Sequence, residues 1–190
     1  RGLEIARTNR MPYVQFVESA GADLLRYRVE DFIFGGSHYA RLARMSAAGI
    51  PVLTIVHGSA TAGGAYMPGM SDFVVMVRDR ARAFLAGPPL LKAATGEIAT
   101  EEELGGALMH ASVSGLAEYL AEDDADAIRA LREHLRHLAW HRHESSLPAA
   151  TEPRFAADEL LSIMPVDGRK PVDMREIIAR LCDDSDFMEF

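Results

Sequence analysis

The sequence predicts an α/β layered fold, and three observations carry that prediction. The runs Tyr13–Val17, Val52–Val56 and Phe73–Val77 are nearly continuous in β-branched, aromatic and other apolar residues, as strands covered on both faces are. Helical patterns separate them at short spacing, which builds one layered core. A glycine-rich stretch, Gly58 to Asp72, follows the second run where a strand would turn into a helix.

Taken in order, a helical piece over Gly2–Thr8 stops before Asn9–Pro12, and the first strand follows at Tyr13–Val17. Glu18–Asp23 reads as a strand-end loop. The spacing of Tyr39, Leu42, Ala43 and Met45 predicts a helix over Ser37–Ala48, with Gly49 as its C-terminal stop. Ile50-Pro51 breaks into the second strand. After the glycine stretch come the third strand and a short apolar piece at Ala83–Ala86. Pro88 and Pro89 suit the first turn of a helix that Gly96 ends, and Thr100 with Glu103 has the spacing of a capping box. Asp124 opens a periodic helix with Ile128, Leu131, Leu135 and Leu138 on one face. Leu147–Pro153 reads as a linker, followed by helices near Ala156–Ile163 and Val172–Leu181, the second capped by Asp173. The division expected is 1–144 for the main domain and 145–190 for linker and short helices.

Composition narrows the function. A hydrophobic share of 48% with 25% charged residues fits a folded core rather than disorder. The net charge of −8 disfavours a nucleic-acid surface. The single Cys182 cannot make an internal disulfide, and no apolar run reaches the roughly 20 residues that span a bilayer. These features suggest a cytoplasmic protein, or a mitochondrial-matrix one in a eukaryote. The chain opens on Arg1 and closes on Phe187-Met-Glu-Phe190, which reads as a segment of a longer protein, incomplete at both ends.

In the glycine stretch almost no side chain is reactive, so its backbone is the useful part. Bare N–H donors at a helix start can hold a phosphate or a developing oxyanion. A P-loop needs a Lys after its second glycine, and here Gly63 is followed by Gly64 and Ala65. An anion-stabilising turn and a tight turn that merely allows close packing both remain open at this point.

Side-chain catalysts are scarce. The sequence has no Gly-x-Ser-x-Gly elbow, no His-Glu-x-x-His helix and no cysteine pair. His134, His137, His141 and His143 have spacings that place imidazoles along one helix side, but they flank the leucine face in an Arg-rich, solvated end, and no metal site is expected. Asp183-Asp184 reads as a solvated turn and Glu101–Glu103 as a favourable first helical turn. Two backbone-rich loops remain, Ser19–Asp23 and Ala62–Ala65. In an open parallel sheet such loops gather in one crevice, where converging N–H groups suit the oxygen of a thioester enolate.

These residues resemble the carboxyltransferase β subunits of biotin-dependent acyl-CoA carboxylases, a branch of the crotonase-like (ClpP/crotonase) superfamily. The resemblance rests on several blocks in order: Asn9–Pro12, Glu18–Leu24, Ala43–Ser46, Thr61–Asp72, Gly87–Glu97, and Glu103–Gly106 with His110. Asp158–Leu161, Pro165, Lys170-Pro171 and Arg175-Glu176 look like the family's connector between its two crotonase-like domains. Ala20 departs from a glycine that the family usually has there.

The resemblance implies that carboxybiotin, on a separate carrier domain, delivers CO2 to the α carbon of an acyl-CoA, or to the vinylogous γ carbon, and that biotin itself serves as base. By motif it makes Gly63 and Gly64 the oxyanion hole, with Gly21 and Ala22 lining the CoA channel, Tyr66 shaping the acyl pocket, Ala65 beside it among the substrate-binding residues, and Lys92 near CoA. It implies a biotin carboxylase and biotin carrier partner, a hexamer of β subunits, and an active site shared with the C-terminal domain of another subunit. Tyr66-Met67-Pro68 and Gly87–Leu90 look closer to the methylcrotonyl-CoA and geranyl-CoA branch than to the propionyl-CoA branch. A crotonase-type hydratase or isomerase would need carboxylates where Ala65, Tyr66 and Met67 stand. The motifs are also compatible with a CoA-ester decarboxylase subunit of the same fold, and with a non-catalytic assembly module.

Overall fold

The computed structural model describes residues 1–21, 26, 28–138, 140 and 149–189. Two compact units divide the chain, Arg1–Leu135 and Arg136–Phe190.

In the first unit, α1 (Gly2–Thr8) leads to β1 (Tyr13–Ser19), α2 (Val29–Ala47) and β2 (Val52–Thr61). A 3-10 turn (Ala62–Ala65) and α3 (Tyr66–Gly69) precede β3 (Phe73–Val77) and β4 (Arg82–Phe84). Next come α4 (Pro88–Thr95), α5 (Glu101–Gly105), α6 (Ala107–Met109), a π turn (His110–Ser114), β5 (Tyr119–Ala121) and α7 (Asp124–His137), whose last two residues count to the second unit. All strand pairs are parallel, in the order β1-β2-β3-β5, with β4 also on β2.

The first and third strands and α1 fall where the residue pattern puts them. Gly96 stops α4 in the left-handed region at φ 79°, where a side chain would be strained. The capping box of α5 closes with Thr100 Oγ1 accepting from Glu103 N–H at 3.2 Å and Glu103 Oε2 accepting from Thr100 N–H at 2.8 Å.

Four elements differ. β2 runs on to Thr61 instead of ending near Val56, because it changes neighbours midway. Leu53–Val56 pair with β3 and Ser59–Thr61 with β4. Against β1 the register goes from Val17↔Val56 to Ser19↔Ala60, so β2 carries extra residues there. Such a bulge bends a strand and re-aims the residues beyond it. α2 starts at Val29, not Ser37, through Gly35-Gly36. Its second half is anchored by fully buried Leu42 and Met45, and a nucleated helix extends at little further cost despite the glycines. β5 has only three residues and no period to betray it. α7 buries Ala127, Ala130 and Leu131, leaving the expected face partly out, with Ile128 at 42% exposed. Small alanines let the helix axis approach the layer beneath, and His134 stacks on Phe73 at 3.7 Å.

The core joins Leu3 and Ala6 of α1, Leu42 and Met45 of α2, Ile50 and Val52, covered by Tyr13, Met67 and Met70. β3 is buried at every position. At its start, Val74 N–H donates to Glu118 Oε2 at 2.6 Å. Burial pushes the Glu118 carboxyl above its ordinary value, against the pull of hydrogen bonds from Val74 and its own backbone. The folded state therefore holds this proton more tightly than the unfolded chain. Its contribution to stability is fully present below the ordinary carboxylate range and is lost as pH rises through the raised value. Glu118→Gln keeps the acceptor and removes the titration. The variant's Tm is expected to gain on the parent's as pH rises from the ordinary carboxylate range; parallel Tm curves would contradict the assignment.

In the second unit, a 3-10 turn (Ala157–Glu159) runs into α8 (Leu160–Ile163), followed by α9 (Met174–Ile178) and a last 3-10 turn (Asp183–Ser185). Asp173 caps α9 by accepting from Arg175 N–H at 3.0 Å. Buried Arg180 ties the unit together, donating to Glu159 Oε2 at 2.7 Å and Glu176 Oε2 at 2.8 Å, with its guanidinium 5.0 Å from the Phe155 ring centre. Among the described residues no helix is long and apolar enough to cross a membrane.

Candidate active site

The bulge in β2 decides where its end points. Thr61 is still extended, then Ala62 takes φ 53°, a left-handed conformation that costs a non-glycine residue energy and is kept only where the surroundings enforce it. The 3-10 turn Ala62–Ala65 begins there. In an i→i+3 ladder, Gly64 N–H faces the Thr61 carbonyl, while Gly63 N–H has no partner inside the turn. Gly64 can share its N–H in a three-centre bond, as helix termini often do.

Each glycine of this turn is also demanded by packing. A Cβ on Gly63 would stand 2.6 Å from the Tyr39 hydroxyl, and one on Gly64 2.9 Å from Ser19 Cβ. Both are closer than real Cβ contacts. Close packing thus accounts for both glycines, Gly64 being buried, and does not exclude a role for the N–H groups of the same turn.

The loop after β1 comes to the same place. Gly21, at φ 90°, has its Cβ position 3.7 Å from Ala62 Cβ, and its N–H donates to Ser19 Oγ at 3.3 Å. The carboxyl ends of the neighbouring parallel strands β1 and β2 therefore present their loops side by side. Ala22 lies outside the described residues, as do His141 and His143. Ala65 is half-buried in the turn, and Tyr66 is 50% exposed beside it. Lys92 is exposed on α4, with no hydrogen bond or ion pair to the turn among the described residues.

Two side chains complete the arrangement, Ser19 from the loop that the sequence singles out and Tyr39, which it does not. Tyr39, expected only as part of an apolar helix face, donates its hydroxyl to the Gly63 carbonyl at 2.7 Å and packs edge-on against Tyr66 at 5.5 Å. Ser19 fills the space under Gly64. A hydroxyl on an otherwise apolar face was the available signal for Tyr39, but its partner is 24 residues away. Burial, then the charge of Arg41, pushes neighbouring His38 below its ordinary value, so it is neutral at pH 7.

A second layer holds β4 against β2. His110, buried, bonds through Nε2 to the Ala83 carbonyl at 2.7 Å and through Nδ1 to Ser114 Oγ at 2.7 Å. A carbonyl only accepts, so the proton sits on Nε2. The backbone of Gly105 packs against the same Ala83 carbonyl, where no Cβ fits. Ser19 and Tyr39, which pack against the two glycines, and Tyr66 beside them carry neither a carboxylate nor an imidazole.

The whole chain, residues 1–190, matches the model of the carboxyl transferase domain family. It is 53% identical over 190 residues to a probable biotin-dependent acyl-coenzyme A carboxylase beta2 subunit of Mycobacterium tuberculosis, covering 100% of this chain and 36% of that protein. It is 45% identical over 195 residues to the mitochondrial methylcrotonoyl-CoA carboxylase beta chain of Dictyostelium discoideum, covering 100% and 33%. Among solved structures, the beta subunit of P. aeruginosa geranyl-CoA carboxylase is similar with TM-score 0.67 and 50% identity over 98% of this chain and 35% of that one. The chain thus spans about a third of the length of the curated relatives it matches.

Proposed function

The chain belongs to the carboxyl transferase domain family, and from that membership we propose that it forms part of the carboxyltransferase subunit of a biotin-dependent acyl-CoA carboxylase. Its mixed α/β, parallel-sheet fold is the crotonase-like fold of such β subunits. The observation that carries the proposal is the meeting of the Gly21 loop with the Gly63-Gly64 turn at the carboxyl ends of β1 and β2.

In this reading Gly63 N–H, with Gly64 N–H beside it, holds the thioester oxygen of the acyl-CoA as it gains charge. Gly21 and Ala22 border the channel for CoA, Lys92 lies toward its phosphates, and Ala65 with Tyr66 shapes the acyl pocket. Ser19, Tyr39 and Tyr66 beside the turn fit a reaction whose base is not a protein side chain. Carboxybiotin, when bound, supplies both the CO2 and the basic ureido group. The chain's own residues then have three tasks: to hold the thioester carbonyl, to orient the acyl group and to exclude water. Donors already fixed where charge develops stabilise a transition state without reorganising, and one such donor typically accounts for about 10²–10³ in kcat.

Residues 1–144 would be the N-terminal carboxyltransferase domain and 145–190 the connector to a second one, which completes the site from another subunit of a hexamer. The similarity to methylcrotonoyl-CoA and geranyl-CoA carboxylase subunits supports a branched or unsaturated acyl-CoA. The experiment is a rate comparison on methylcrotonyl-, geranyl-, propionyl- and acetyl-CoA with the full-length subunit and its biotin-bearing partner. The first two are expected to be preferred. The isolated 190 residues are expected not to turn over; carboxylation by the segment with carboxybiotin alone would overturn the shared-site part.

A further inference from the structure

Resting on the reading of the glycine turn given above, we infer that Tyr39 is a positioning residue for the reaction, holding the Gly63 peptide so that the N–H donors on either side of it keep their aim. Gly63, like Gly64, has no side chain and wide backbone freedom. Its carbonyl is caught from two directions, by the Tyr39 hydroxyl at 2.7 Å and by the backbone N–H of Tyr66. A carbonyl oxygen has two lone pairs, and these two donors use both.

The consequence runs through the peptide plane. The Gly63 carbonyl and the Gly64 N–H are opposite ends of one rigid unit, so fixing the oxygen fixes the direction of the hydrogen. Donors on the oxygen also polarise the amide and strengthen its N–H as a donor, by roughly 10–30% per bond in condensed-phase estimates. That offsets the share of Gly64 N–H drawn by Thr61. Tyr39 is itself set by α2, one turn before buried Leu42, and by the edge-on ring of Tyr66. The absent Cβ of Gly63 is what admits the hydroxyl.

The test compares Tyr39→Phe and 3-fluorotyrosine at position 39 with the parent, in the full-length subunit with its biotin-bearing partner, near neutral pH. Phenylalanine keeps the ring packing and loses the hydroxyl; fluorine makes the hydroxyl a stronger donor. Tyr39→Phe is expected to lower kcat about 3- to 10-fold, the effect of one neutral hydrogen bond. KM for the acyl-CoA should stay within about twofold, since the oxygen's charge grows only in the transition state. The kcat order should be phenylalanine, tyrosine, fluorotyrosine from lowest to highest. A merely structural role predicts no dependence on donor strength, so a flat series, or a loss confined to KM, overturns the inference. Should Tyr39→Phe fail to assemble, the fluorotyrosine enzyme against the parent still decides. Gly64→Val in parallel separates the two levels: full turnover there sinks the reading of the turn itself, whereas its loss with a flat Tyr39 series sinks only the role of Tyr39.

Discussion

Gly64→Val in the full-length subunit is expected to lower kcat about 10²–10³-fold, the scale of losing a transition-state donor, with the oligomer intact by gel filtration. The substitution does not remove an N–H. It acts by displacement, because a Cβ at residue 64 meets Ser19 Cβ at 2.9 Å and Ser19 Oγ at 3.1 Å. Ser19 ends β1, which is held along its length by β2, so the softer turn must move instead. A shift of about 1 Å in a positioned group is enough for a 10²-fold loss. The same geometry supplies a control. In Gly64→Ala the smaller side chain meets the same obstacle, and adding Ser19→Gly clears it, leaving the N–H groups of the turn in place and removing only the acceptor of the Gly21 N–H. The double variant should recover at least about tenfold over Gly64→Ala. No recovery would mean that the space above Gly64, not the aim of its N–H, is what the reaction needs. Loss of assembly with the loss of turnover would favour a scaffolding role.

Gly105→Ala should be severely destabilising, at about 3 kcal/mol or roughly 10 °C in Tm. The new Cβ would collide with the Ala83 carbonyl and lie 2.9 Å from Phe84 Cδ1. A side chain can change rotamer, but a backbone carbonyl already bonded to His110 Nε2 cannot. The strain therefore falls on β4. Since β4 pairs with Ser59–Thr61, the last residues before the glycine turn, turnover should fall together with Tm. Thermal melts paired with kcat measure both. An unchanged Tm would show that α5 can slide away from β4, which the close backbone approach denies.

The sequence is most legible where local chemistry sets the structure. Phe73–Val77 is apolar at every position and could only be a buried strand. Gly96 in the left-handed region and the Thr100–Glu103 box depend on residues within four positions of each other. Legibility fails where a distant partner decides. Nothing near Gly58 says that β2 will leave β3 and continue along β4, because β4 is a three-residue strand more than 20 residues downstream. The leucines of α7 point to one face, yet its alanines set the buried one. Residues quoted for the family resemblance include the whole glycine turn, but Tyr39, which holds it, lies outside those blocks.

What the sequence determined by itself is therefore the class of fold and the family: an α/β chain with a glycine turn poor in reactive groups. These come from periodicity, turn chemistry and short motifs, all local in the chain. Only the tertiary structure decided why those glycines are glycines. Gly63 yields to a hydroxyl on α2 and Gly64 to a serine at the end of β1. Side-chain periods report which face is buried, whereas the aim of a backbone N–H depends on what packs against it, and those neighbours come from elements 24 and 45 residues earlier in the chain.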